Sequence, residues 1–246
     1  MSNYNHDTVT PYNTEEDKKS QVTKMFDGIA GKYDFLNHFL SLGVDIIWRK
    51  IALNKLSHNN NAHILDLATG TGDLAIEACK RLKPNSVMAV DISQNMLNIG
   101  IEKSKKHNLD HIITFEKGDS EKLRFQENSF NTVMASFGVR NFENLEKGLA
   151  EMYRVLKPEG TVMILEFSTP RIFPIKQLYS FYFKYILPSI GKLISKDNKA
   201  YTYLYESSST FPSFENFISI LNKIGFKNSR YYSLSFGICC IYIGKK

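Results

Sequence analysis

The sequence predicts an α/β fold: a doubly wound, mostly parallel sheet of seven strands with helices on both faces. Short apolar runs alternate with amphipathic helical stretches through the middle of the chain. The first of those runs ends in a glycine-rich turn, the place where such sheets present ligands. Two further strand-like runs close the chain. With 246 residues, 43% of them hydrophobic, there is material for one sizeable core, so a single domain over 1–246 is expected. Its parts are a helical cap (1–57), a ligand-binding core (58–168), a lid insertion (169–211), and a helix with two closing strands (212–246).

Taken in order, residues 1 to about 13 read as frayed. Thr14-Glu-Glu-Asp17 has a capping-box pattern, and Val22, Met25, Phe26 and Ile29 then mark one face of a helix. A second helix is expected over 45–56. Strands follow at 63–67, 87–91, 112–115 and 131–136, with a helix after the first and one capped by Ser93 after the second. A helix over 143–156 carries Leu145, Leu149, Met152 and Leu156 on one face, and Lys157-Pro-Glu-Gly160 ends it before a fifth strand at 160–166. The stretch 172–195 is apolar and aromatic, with Lys176, Lys184 and Lys192 at even spacing. Ser213 reads as the cap of a helix bearing Phe214, Phe217, Ile218 and Leu221, which Gly225 ends. Runs at 229–234 and 237–243 complete the seven strands.

Composition narrows the function classes. A net charge of +6 admits nucleic acid or an anionic membrane surface as partner. No RNA-binding module or aromatic-basic stripe accompanies it, so no nucleic acid is expected. Cys79, Cys239 and Cys240 are odd in number and two are adjacent, which suits a reducing cytoplasm and no disulfide framework. Zinc spacing is absent and no metal is expected. The N-terminus lacks the apolar core of a signal peptide, and no run of 18 apolar residues suggests a spanning helix.

The chemistry concentrates in Asp66-Leu-Ala-Thr-Gly-Thr-Gly-Asp73. Gly70 and Gly72 permit a tight turn and close approach of backbone to a ligand. Asp91 ends the second strand, where a carboxylate accepts hydrogen bonds from a ribose diol. The same glycines, with Ala75 and Asp91, also satisfy the dinucleotide fingerprint, which keeps an NAD-binding oxidoreductase or a nucleotide sensor open. Acids flanking the turn at Asp66 and Asp73 disfavour a pyrophosphate and suit a ligand with an amino group and a sulfonium. Asp119, after the third strand, offers an acceptor for an adenine amine. The expected cofactor is S-adenosylmethionine.

Several co-linear blocks then resemble one family. Phe26-Asp-Gly-Ile-Ala-Gly-Lys-Tyr-Asp34, with Asn37, Ser41, Gly43 and Trp48-Arg49, resembles the N-terminal signature of the menaquinone/ubiquinone C-methyltransferases. Leu65 to Asp73, Ser136-Phe-Gly-Val-Arg-Asn141, Met152-Tyr-Arg-Val-Leu-Lys-Pro158 and Leu165-Glu-Phe-Ser168 resemble four more of its blocks. The resemblance implies a class I, Rossmann-like methyltransferase fold and methylation of a ring carbon of a prenylated quinol, demethylmenaquinol foremost. Methylation of oxygen or nitrogen on another small molecule is the alternative. Carried over residue by residue, cofactor contacts fall on Thr71, Asp91, Asp119, Ser120 and Ser136, beside Asp66, Gly70 and Gly72. Asp119-Ser120 stands where family members often have Asn-Ala, and Ala68 replaces the first glycine of the generic pattern.

For catalysis, Arg140 and Asn141 follow the fourth strand at the edge facing the cofactor, where Arg140 suits a developing oxyanion. An ion pair of Arg140 with Asp34 or Glu166 is the alternative. Tyr33 suits orientation of the acceptor hydroxyl or a water, against plain helix-end packing. No histidine stands out as a general base, His38 beside Asn37 included. The stretch 172–195 is expected to meet the lipid tail and, through its lysines, an anionic membrane surface. The protein is expected in the cytoplasm, peripheral on the inner face of the cell membrane; naphthoquinol against benzoquinol and the oligomeric state, a homodimer included, stay open.

Overall fold

The structure, a computed structural model, describes residues 4–56, 62–186 and 199–246. Its strands are β1 (His63–Leu67), β2 (Ser86–Asp91), β3 (Ile113–Lys117), β4 (Phe130–Ser136), β5 (Leu156–Phe167), β6 (Lys227–Leu234) and β7 (Cys239–Lys245). They form one seven-stranded sheet in the order β3-β2-β1-β4-β5-β7-β6. Pairs from β3 to β5 are parallel, and β7 lies antiparallel to both β5 and β6. The sheet is the doubly wound, mostly parallel one that the alternation predicts. The chain steps from β1 to β2 one way and returns from β3 to β4 the other, so the carboxyl ends of β1 and β4 flank the switch point.

Helices are α1 (Lys18–Leu40), α2 (Val44–Leu53), α3 (Asp73–Leu82), α4 (Gln94–Lys106), α5 (Leu145–Val155), α6 (Ile175–Phe181), α7 (Lys199–Thr210) and α8 (Glu215–Ile224). Alternate strand residues feed opposite faces of the sheet. Leu65, Val133 and Val162 join α5 and α8 on one face, and Ile64, Met134 and Met163 join α2 and α3 on the other. A third cluster lies apart from the sheet: Val22 and Met25 of α1 meet Ala200 and Tyr203 of α7. Cap and lid thus share a core of their own.

Four local expectations need correction. The N-terminal segment is not frayed from Tyr4 on: the Tyr4 hydroxyl donates to Glu146 at 2.8 Å, and His6 is fully buried edge-on to Phe211. Asp17, not Thr14, caps α1, accepting from Ser20 N at 2.6 Å. The segment 157–160 does not separate helix from strand, because β5 begins directly at Leu156. The β4–β5 register slips there, with Phe130 opposite Leu156 but Thr132 opposite Thr161, and such an irregularity tolerates Pro158 and Gly160 in a strand. Ser213 does not cap α8: its hydroxyl donates to Phe211 O at 3.2 Å, and the Phe214 amide is satisfied by Tyr242 Oη at 2.9 Å. A tyrosine of β7, far in sequence, takes the cap's place.

Within the lid, α6 runs into a π-helical turn, Tyr182–Ile186. The side chains of Phe183 and Lys184, and all of residues 187–195 with Leu187 and Lys192, lie outside the described residues. Among the described residues no helix is long and apolar enough to cross a membrane.

Candidate active site

The turn after β1 depends on left-handed backbone at Ala68, Gly70 and Gly72, with φ of 51°, 57° and 80°. Two of these are glycine because side chains rarely adopt that conformation. Gly72 is obliged twice over, since a Cβ would lie 2.9 Å from the Phe115 ring. Gly138, after β4, has no room for a Cβ against Ala68, so the two loops at the switch point touch.

Around this turn lies a polar cleft with an empty volume of about 840 Å³. Asp91 lines it with both oxygens engaged by backbone: Oδ2 accepts from Gly70 N and Oδ1 from Ser93 N, each at 2.8 Å. Burial pushes the Asp91 carboxyl up, against these hydrogen bonds, which favour the charged form. Gly70, Thr71, Asp119, Ser120, Ser136 and Asn141 also line the cleft. The Asn141 Oδ1 is buried without a hydrogen-bond partner. Asn141, read from sequence as catalytic, belongs to this cleft and not to the neighbouring cavity described below.

Expectations for four residues of the site change. Asp66 does not line the cleft. It is wholly buried beneath the turn, accepts from Thr69 Oγ1 at 2.6 Å, and burial pushes its carboxyl up to about 7. Gly72 does not line the cleft either; it makes room for Phe115. Asp73 lines it but is not a free charge: Lys103 is bonded to it, and Arg49 lies 3.8 Å and His38 3.7 Å away. The electrostatic argument against a pyrophosphate therefore weakens on both sides, Asp66 through burial and Asp73 through pairing. Asp119 is likewise held, by Lys19 of α1 at 2.8 Å.

Helix α1 roofs this cleft. Lys19, Val22, Phe26 and Tyr33 line it from one side of the helix. Asp27 accepts from Ser93 Oγ at 2.5 Å, and Asp34 accepts from Thr71 Oγ1 at 2.5 Å and Lys103 Nζ at 2.8 Å. The polar positions of α1 are latches onto the core.

Beyond α1's cleft-facing side lies a second, larger and mostly apolar cavity, with an empty volume of about 1720 Å³. Phe26, Tyr33, Arg49 and Phe137 line both spaces, so the two adjoin. Tyr33 thus stands at the junction, and burial raises its hydroxyl while Arg140 and Arg49 oppose that rise. Met25, Trp48, Phe167, Leu178 and Tyr179 are among the apolar walls. Arg140 lines this cavity and not the polar cleft. Its Nη1 binds Glu166 Oε1 at 2.8 Å, the ion pair foreseen as the alternative, and also bonds Phe137 O. Its Nε is buried and unpartnered. Pairing with Asp34 is not observed; Asp34 goes to Thr71 and Lys103.

Arg49, Lys19 and Tyr203 escaped sequence reasoning. Arg49 sits in a family block without a role visible from sequence, yet it bridges the two spaces and binds Asp45 at 2.6 Å. Lys19 carries no signal at all on an ordinary amphipathic helix. His38 binds Asp45 at 2.9 Å and lines neither space. Among the described residues no group of three or more His, Cys, Asp or Glu could hold a metal ion.

The comparisons agree with this geometry. The ubiE/COQ5 methyltransferase family matches residues 13–246. A demethylmenaquinone methyltransferase of Bacteroides fragilis is 46% identical, covering 99% of this chain and all of its own. The Porphyromonas gingivalis enzyme of that name is 44% identical over 97% of this chain and 98% of its own. A ubiquinone/menaquinone biosynthesis C-methyltransferase of Geotalea daltonii is 43% identical over 94% and 98%. Among solved structures, an S-adenosylmethionine-dependent methyltransferase from Aquifex aeolicus shares the fold at TM-score 0.58 and 18% identity, over 80% of this chain and 88% of that one. Phosphoethanolamine N-methyltransferase 2 of Haemonchus contortus, solved with S-adenosylmethionine, gives TM-score 0.61 at 16% identity over 80% and 52%. Matched along nearly its whole length, the chain belongs to the ubiE/COQ5 methyltransferase family and is a methyltransferase that uses S-adenosylmethionine.

Proposed function

We propose that the enzyme converts demethylmenaquinol to menaquinol by methylating a ring carbon. The observation that carries this reading is the large apolar cavity joined to the polar cleft across Tyr33 and Arg49. A small hydrophilic acceptor has no use for such walls, whereas a naphthoquinol with a prenyl tail fills them. The names of the relatives at 44% and 46% identity support the same acceptor.

The polar cleft suits S-adenosylmethionine. The unpartnered Asn141 Oδ1 offers an acceptor to an amino group, Asp91 faces a ribose diol, and Asp119 with Ser120 lies at the adenine end. Gly70 and Thr71 bring backbone close to the methionine part, and Ser136 lines the floor. When bound, the cofactor supplies an electrophilic methyl group on a sulfonium. The protein's part is to orient the acceptor carbon toward it and to favour the ionised form of the adjacent ring hydroxyl. Tyr33 orients that hydroxyl from the junction. Arg140, paired with Glu166 through Nη1, keeps its Nε–H unpartnered as a donor for negative charge on the acceptor.

The tail leaves past the lid. Ile172, Phe173, Leu178, Phe181, Tyr185 and Ile186 are exposed there, and Phe35, Phe39 and Leu42 at the end of α1 are exposed as well. These side chains dip into the inner face of the cell membrane while the substrate is exchanged. Quinones extracted from a strain lacking this protein test the assignment. Accumulated demethylmenaquinone is expected; unchanged menaquinone ends the proposal.

A further inference from the structure

Resting on that reading of the apolar cavity, we infer that Tyr203 is a further acceptor-binding residue, whose hydroxyl donates a hydrogen bond to the ring oxygen that Arg140 also faces. Tyr203 lies on α7, the last helix of the lid, and lines the cavity. The side chain is 2% exposed. Its ring is anchored in the cluster of Val22 and Met25 of α1 with Ala200, so the hydroxyl is fixed in place. That hydroxyl is buried without any hydrogen-bond partner, as is the Nε of Arg140.

Two buried polar groups left without a partner, on two residues that line the same cavity, are costly, each on the order of 1–3 kcal/mol. Native folds keep such groups where a ligand satisfies them. Their chemistry defines the ligand. The Arg140 Nε–H is a donor only, and the tyrosine hydroxyl donates most readily to an anionic oxygen. Among neighbouring charges, Arg140 draws the Tyr203 hydroxyl toward ionisation while Glu166 and burial oppose it, and the net direction is upward. The group therefore keeps its proton and remains a donor at neutral pH. Two such donors brought to one ring oxygen stabilise a developing phenolate. Tyr33 touches both the cofactor cleft and the cavity, whereas Tyr203 lines only the cavity. The pair formed by Arg140 and Tyr203 thus belongs to the acceptor's side of the Tyr33 junction, where the ring hydroxyl beside the reacting carbon is held.

The test is Tyr203→Phe, which removes one oxygen and keeps the ring. Parent and variant are assayed with a short-chain demethylmenaquinol, alongside S-adenosylmethionine affinity by calorimetry and the thermal midpoint. Expected are a kcat/KM for the quinol at least about tenfold lower, cofactor affinity within about twofold, and a thermal midpoint that does not fall, since an unsatisfied buried hydroxyl is lost. Competitive binding of the two monohydroxy analogues, each lacking one ring oxygen, adds a second readout. The variant should lose affinity for the isomer that keeps the Tyr203-bound oxygen and not for the other. A kcat/KM equal to the parent's, or equal losses for both isomers, overturns the assignment. A parent inactive on the quinol instead overturns the acceptor reading, and this inference with it.

Discussion

Arg140 is both an ion-pair partner and a cavity-facing donor, and the two roles separate by substitution. Removing the side chain strands the fully buried Glu166, an uncompensated charge that costs about 3–5 kcal/mol. Arg140→Ala therefore unfolds at markedly lower denaturant, which confounds any loss of rate. Arg140→Lys keeps a cation for Glu166 and removes the fork. Turnover should drop at least about tenfold while S-adenosylmethionine affinity changes less than about threefold; unchanged turnover would remove Arg140 from the reaction. Asp66 gives a different signature. Its carboxyl titrates near 7 in the fold against 3.8 when unperturbed, with burial the main cause and the Asp91 charge adding to it. The folded state thus holds a proton that the unfolded chain has released. This stability is complete below about 3.8 and is lost as pH rises through about 7. Asp66→Asn, neutral at every pH, should show a smaller fall in thermal midpoint between pH 5 and pH 8 than the parent, measured by calorimetry.

Helix α1 is the element on which both spaces depend. One side roofs the polar cleft, and Met25, Phe26 and Ile29 wall the apolar cavity. Polar contacts of three of its residues, Lys19, Asp27 and Asp34, hold it down. Each partly exposed contact contributes up to about 1 kcal/mol. Asp34→Ala should therefore raise hydrogen exchange of α1 amides by about threefold to tenfold and leave the β1 and β4 amides unchanged. Equal protection in both proteins would show that apolar packing alone seats the helix. Its apolar face was legible from Val22, Met25, Phe26 and Ile29 at helical spacing. Its polar face was not, because charged positions on an amphipathic helix read as solvated, and only the fold brings Ser93, Lys103 and Asp119 against them.

At the scale of the whole molecule, exposed apolar side chains gather at the lid and at the end of α1. Phe173 is 77% and Leu42 87% exposed, and Phe236 beside the cavity is 71% exposed. With a net charge of +6, the protein should sediment with anionic vesicles at low salt and release at high salt. The double change Phe173→Asp and Leu42→Asp should weaken that association with little effect on stability, because both side chains already stand in solvent. Vesicle binding unaffected by the pair would move the contact elsewhere on the surface.

The sheet and the turn at the switch point were legible in the sequence, because they rest on local periodicity and on backbone that glycine adopts easily; the chemistry was legible only through the resemblance of co-linear blocks to one family. Gly70, Asp91 and Ser136, expected at the cofactor, all line the polar cleft. Which acids line the cleft, and with what charge, was settled by neighbours distant in sequence. Asp66 and Asp73 are alike in sequence, yet one is buried under the turn and the other is neutralised by Lys103 and Arg49. Tertiary structure also decided that Arg140 and Asn141, adjacent in the chain, face different spaces. Burial and charge compensation are sums over neighbours distant in sequence, and Tyr203 meets Arg140 only because α7 folds back onto α1.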